Sequence, residues 1–257
     1  MNMRAVVSAA WVAGPPIATP IIGWYGPRAI LVAIGVVALL NIATTMAMMA
    51  HRRRELLAAD GPAAPVVHED ALSLGAGGIA LVTTAFVLLQ ATNATSMSFL
   101  AVYVPRTLEI DVLWAGVALG LAAGLEIPAL MLIGRLTERF SILGLIVTGC
   151  LAGIVYYAGV AVATGPVLLL VLQPLNAWCF AAIGGVGLTL FQQMISRPGL
   201  STGLYMNTRR IGAILSGPLI ALGGSTVLGL RATFWACAVL TLIGMLIILA
   251  AARRSSP

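Results

Sequence analysis

The sequence predicts an all-α integral membrane protein of about eight transmembrane helices, and three observations carry that reading. The first is composition: 60% of the 257 residues are hydrophobic and 9% are charged, with a mean hydropathy of +1.05. A soluble domain carries roughly 25% charged residues, and so few polar side chains cannot cover a water-facing surface. The bilayer is therefore the solvent for most of the chain. The second is the recurrence of apolar runs long enough to cross a membrane. The third is charge placement: every basic side chain is an arginine, and the arginines gather at the ends of those runs. In a soluble protein a net charge of +6 would suggest nucleic acid as partner, but this clustering is a membrane topology signal.

A span needs about 20 apolar residues at a rise of about 1.5 Å each. The runs that qualify are 5–23, 28–50, 76–104, 113–134, 142–163, 166–193, 204–226 and 231–252. The first contains Trp11, Gly14, Pro15, Pro16 and Pro20 and no small-residue cleavage site, so it reads as a span rather than a signal peptide. Its prolines remove backbone donors and require a bend. Most connections are short, such as Thr164–Gly165, which forces neighbouring helices to run antiparallel. The segment 51–75 is the exception. It places Glu55, Asp60, Glu69 and Asp70 beside Arg52, Arg53 and Arg54, the composition of a hydrated linker. The chain thus divides into two helices in 1–50, a linker in 51–75 and six helices in 76–257.

Arginine placement predicts orientation. With the first helix entering from the cytoplasm, that side receives Arg4, Arg52, Arg53, Arg54, Arg135, Arg139, Arg197, Arg209, Arg210, Arg253 and Arg254, and the outer side receives Arg28, Arg106 and Arg231. This agrees with the positive-inside rule. It predicts a multi-pass protein of the cell inner (plasma) membrane with both termini and the linker cytoplasmic.

Polar groups within spans are expensive and mark candidate function. Glu126 lies in the middle of the fourth span, in GLAAGLEIPALMLIG. Hydrocarbon favours the neutral form of a carboxyl group, which suits a residue that gains and loses a proton during transport. The alternative is a hydrogen-bonded structural carboxyl. In the third span Gln90, Asn93 and Ser96 follow at intervals of three and share one helical face. Their amides and hydroxyl offer donors and acceptors without net charge, as a sugar-like polyol requires; the alternative is interhelical hydrogen bonding. Gln173 and Asn176 repeat the spacing in the sixth span. The seventh opens with LYMNTRRIG, placing Asn207, Arg209 and Arg210 in its first turns. Two adjacent arginines point about 100° apart on a helix, so one faces protein while the other snorkels; Arg210 is the candidate for the inward position. Gly184, Gly185 and Gly187 permit close helix approach. The cysteines Cys150, Cys179 and Cys237 sit inside apolar runs and read as small packing residues, while His51 and His68 make no metal-ligand spacing. No cofactor or metal is expected.

Several stretches together resemble the major facilitator superfamily, and more narrowly its bacterial sugar efflux transporter branch. AWVAGPP, with Gly14 and Pro15, resembles the proline-glycine antiporter motif of that superfamily's fifth helix. GRLTERF, with Gly134, Glu138 and Arg139, resembles the cytoplasmic motif after its eighth helix. AAGLEIP, LQPLNA, IGGVGLTLFQ and LYMNTRRIG resemble stretches of the sugar exporters, in the same order.

The resemblance implies export of sugars or sugar-like glycosides in exchange for protons, by two six-helix halves rocking around a midplane site. Carried over by position, Asn93, Glu126, Gln173, Asn176, Asn207 and Arg210 match polar positions of the family pattern; with Gln90 they are the candidate substrate-binding and proton-coupling groups. It also implies that the chain begins just before the fifth of twelve helices, a truncated major facilitator fold whose cavity a partner or preceding segment would complete. A multidrug exporter is the alternative within transport, although only 6% of residues are aromatic. A nonfunctional or scaffolding membrane fragment is the alternative outside it. Neither a metal-ligand cluster nor a serine nucleophile motif nor paired catalytic carboxylates points to an enzyme.

Overall fold

The structure, a computed structural model, describes residues 75–225, 227 and 229–255, together with residues 32, 35–40, 42–44 and 46. The latter group is helical wherever it is described and belongs to a separate compact unit from residues 75–255. Gly14 and Pro15, most of the two first spans and most of the linker lie outside the described residues.

Within the larger unit the chain runs through α1 (Ala76–Thr107), α2 (Leu113–Leu136), α3 (Ile142–Val162), α4 (Pro166–Met194), α5 (Pro198–Gly224) and α6 (Arg231–Ser255). Among the described residues, α1, α2, α3, α4 and most of α6 are long and apolar enough to cross a membrane. The helix α5 is just as extended, but Arg209 and Arg210 interrupt its apolar character. These helices coincide with the apolar runs expected from the sequence. The largest difference is at the start of α5, which begins six residues before the expected 204. Ser201, Thr202 and Gly203 hid that first turn from a search for apolar residues.

Local chemistry sets the breaks. The helix α1 ends just after Pro105, and Glu109 takes a left-handed φ of 55° in the connection that follows. The Asp111 carboxylate then accepts the Leu113 N–H at 2.7 Å, satisfying a donor at the start of α2. At the start of α3, Ser141 Oγ accepts the Gly144 N–H at 3.1 Å, a side-chain N-cap. Proline opens α4 and α5 at Pro166 and Pro198, where the missing donor would be unpaired in any case.

In the bundle, α1 packs on α5 and α6, α6 packs on α3, and both α2 and α3 pack on α4. Close approach of backbones, rather than the hydrophobic effect, drives such packing in lipid. Two aromatic clusters mark the seams. Phe86, Phe191 and Tyr205 meet edge to face, joining α1, α4 and α5. Phe99, Tyr103 and Phe234 join α1 to α6. Near the second cluster the C-terminal carbonyls of α3 receive side-chain donors. Tyr103 Oη donates to the Val160 carbonyl at 2.9 Å, and Arg231 donates to Ala161 and Ala163, each at 3.3 Å. These bonds gather the C-terminal ends of α1 and α3 with the N-terminal end of α6. Arg106 and Arg231, both expected on the outer side, therefore belong to one end of the bundle.

The helix α4 is broken twice. Its first α-helical piece stops at Val171, because Pro174 cannot donate within the next turn; the second spans Gln173–Phe180. The Gln173 side chain adds a donor beside this junction, its Nε2 giving a 2.7 Å bond to the Leu169 carbonyl. Ala181–Val186 then forms a π turn before the helix resumes at Gly187–Met194. A π turn accommodates one extra residue and shifts the backbone bonds out of register. Freed carbonyls in a membrane need another donor.

Candidate solute-binding site

The seam between α1, α4 and α5 holds a depression lined by Gln90, Asn93, Cys179, Phe180, Ile183, Gly184 and Arg209. Gln90 is buried and Asn93 half-buried, one helical turn apart on α1. Gly212 brings α5 directly onto the Gln90–Ala91 peptide of α1, which fixes where Gln90 stands. Across the seam the π turn of α4 contributes Ile183 and Gly184. The polar groups are thus two primary amides, each with donors and an acceptor, and one guanidinium with a planar set of donors. Phe180 adds an aromatic wall.

The other expected site residues are placed as follows. Glu126 is half-buried on α2, the helix that packs against α4 at its second piece and its π turn; it does not line the depression. Gln173 is fully buried, and one of its two Nε2 donors bonds the Leu169 carbonyl. Its Oε1 accepts from Asn176 Nδ2 at 3.2 Å, and its amide interacts with the hydroxyl of Tyr156. Tyr156 also shares a 3.2 Å hydrogen bond with Ser96, so a polar chain runs from α1 through α3 to α4. Gln173 and Asn176 belong to that chain. Asn207, Arg209 and Arg210 are all exposed on α5; of the two arginines it is Arg209 that borders the depression. Gly134, Glu138 and Arg139 are exposed at the end of α2, where Thr137 Oγ1 caps the Gly134 carbonyl at 2.7 Å. Arg209 and Phe180 were not anticipated as lining residues. The adjacency of Arg209 and Arg210 predicts that one of them faces protein; in the structure both are exposed, and Arg209 reaches only the edge of the depression.

Residues 3–217 match the Major Facilitator Superfamily, and the chain belongs to that family. It is a multi-pass membrane protein. Among its curated relatives, Sugar efflux transporter A of Dickeya chrysanthemi is 32% identical over 220 residues, covering 84% of this chain and 54% of the relative. Sugar efflux transporter B of Salmonella typhimurium is 29% identical over 234 residues, covering 91% of this chain and 58% of the relative. Sugar efflux transporter A of Escherichia coli is 28% identical over 249 residues, covering 95% and 61% respectively. The chain therefore spans little more than half the length of the relatives it matches.

Proposed function

We propose that this chain serves the export of sugars or sugar-like glycosides as a secondary active transporter, not an enzyme. It sits in the inner membrane with its termini on the cytoplasmic side, the side that receives the larger share of arginines. The observation that carries the reading is the convergence of Gln90, Asn93 and Arg209 on one depression. Amides and a guanidinium can bind hydroxyl groups without the solute having to carry a charge. The names of the relatives point the same way. Transport proceeds by alternating access, and Glu126 exchanges a proton with the solute's passage. A carboxyl on a membrane span beside the π turn of α4 is suited to that task. Gln173, Asn176, Asn207 and Arg210 support the solute's path around the depression. A preceding segment or a partner supplies the rest of the cavity wall.

The test is efflux of radiolabelled methyl glycosides from right-side-out membrane vesicles under an imposed proton gradient. Asn93→Leu is expected to reduce efflux at least tenfold by weakening solute binding. Glu126→Gln is expected to retain solute exchange but lose acceleration by the gradient. Gradient-driven efflux that survives in Glu126→Gln would remove the coupling role, and unchanged efflux in Asn93→Leu would remove the site.

A further inference from the structure

Tyr205 stands out because its hydroxyl, on one helix, meets a defect in the backbone of another. It lies on α5 and is 2% exposed. Its ring packs edge to face on Phe191 at 5.7 Å and on Phe86 at 6.2 Å. Its Oη donates to the Gly184 carbonyl at 3.0 Å, with the Ile183 carbonyl at 3.4 Å. Both carbonyls belong to the π turn, where backbone bonds are out of register. The Ile183 carbonyl already accepts the Gly187 N–H, so Gly184 is the acceptor that the hydroxyl chiefly serves. Gly187 makes the approach possible: a methyl group there would stand 2.5 Å from the Phe86 ring and 3.0 Å from the Tyr205 ring. Ile183 and Gly184 in turn line the depression with Gln90, Asn93 and Arg209.

We infer that Tyr205 is a positioning residue for the solute site, its hydroxyl latching the π turn of α4 to α5 so that Ile183 and Gly184 hold their place opposite Gln90 and Asn93. The inference rests on the depression being the solute site. The ring's packing fixes α5 in the aromatic cluster, while the hydroxyl bonds the backbone of the turn, so the two contributions separate on removal of one oxygen. Arg209, one helical turn beyond Tyr205, is carried on the same latched segment. Loosening the turn therefore changes the spacing between the α1 amides and the α4 wall without disturbing the fold.

The experiment uses the full chain in phospholipid nanodiscs, with Tyr205→Phe and Asn93→Leu beside the parent. Amide exchange across 181–190 reads the latch, and exchange in α6 controls for folding. Binding of methyl α-D-glucoside, maltose and raffinose reads the site. Tyr205→Phe is expected to speed exchange in 181–190 about tenfold, leave α6 unchanged and weaken sugar binding about five- to tenfold. Unchanged exchange in the turn overturns the latch while leaving the site reading intact. Faster exchange with unchanged binding overturns the positioning role. If no sugar binds the parent, or if Asn93→Leu binds as the parent does, the site reading fails and this inference falls with it.

Discussion

Gly212 of α5 lies flat against the peptide that joins Gln90 to Ala91 of α1, so close that a methyl group on it would stand 2.7 Å from the Ala91 nitrogen. The obstacle is backbone, which cannot swing aside as a flexible side chain would. Gly212→Ala must push α5 away from α1, and overpacking of this kind costs about 1–3 kcal/mol. The expected result is reduced resistance to unfolding in a detergent titration, with solute binding weakened more than stability because Gln90 sits at the crossing. Parent-like stability in the alanine variant would show that the two helices do not meet there.

The Ser96–Tyr156 hydrogen bond links α1 to α3 across the bundle at 3.2 Å. Interhelical bonds in membranes average about 0.6 kcal/mol and reach about 1.7. A double-mutant cycle with Ser96→Ala and Tyr156→Phe is expected to give a coupling energy of that order. A coupling indistinguishable from zero would mean that the bond contributes nothing.

Arg231 reaches two carbonyls of the α3 terminus at once through two separate nitrogens, a rigid planar fork that the compact ammonium of lysine does not reproduce. Arg231→Lys and Arg231→Gln are both expected to speed amide exchange at 163–168 and to lower stability by about 1 kcal/mol. Full protection in the lysine variant would show that charge alone suffices.

Cys150 and Cys237 are fully buried in the packed seams of α3 and α6. Neither is expected to react with N-ethylmaleimide until the protein is unfolded in dodecyl sulfate, as mass spectrometry of labelled peptides would show. Labelling of either in the folded protein would place it at an accessible surface instead.

The helix positions were legible because lipid demands a minimum apolar length, and runs such as 113–134 and 142–163 have no other use. The polar first turn of α5 was not, since apolar length is silent about Ser201 and Thr202, though Pro198 marks the start. The faces of helices were less legible still. Gln90 and Asn93 declared a shared face by spacing, but whether it meets solute or another helix depends on the roll of α1. Gln173 and Asn176 have the same spacing, and their amides bond to α4 itself and to each other. The choice between Arg209 and Arg210 was beyond reach for the same reason. Three glycines near 184–187 suggested close approach. It is Gly187 that meets another helix, at Phe86 and Tyr205, whereas Gly184 faces the ring of Phe180 in its own helix. The π turn itself left no trace in the apolar pattern, because it changes backbone register without changing hydropathy.

The two breaks in α4 have a mechanical meaning that emerges from α3. Gly149 abuts Ala182 in the π turn, Gly153 abuts Cys179 in the piece before it, and Gly159 abuts Leu172 at the first junction. A single unbroken rod thus lies along both joints of a jointed one, like a splint. The stiffness of α4 is a property of the pair, and widening any of the three notches in α3 with a larger side chain would free a hinge in its neighbour.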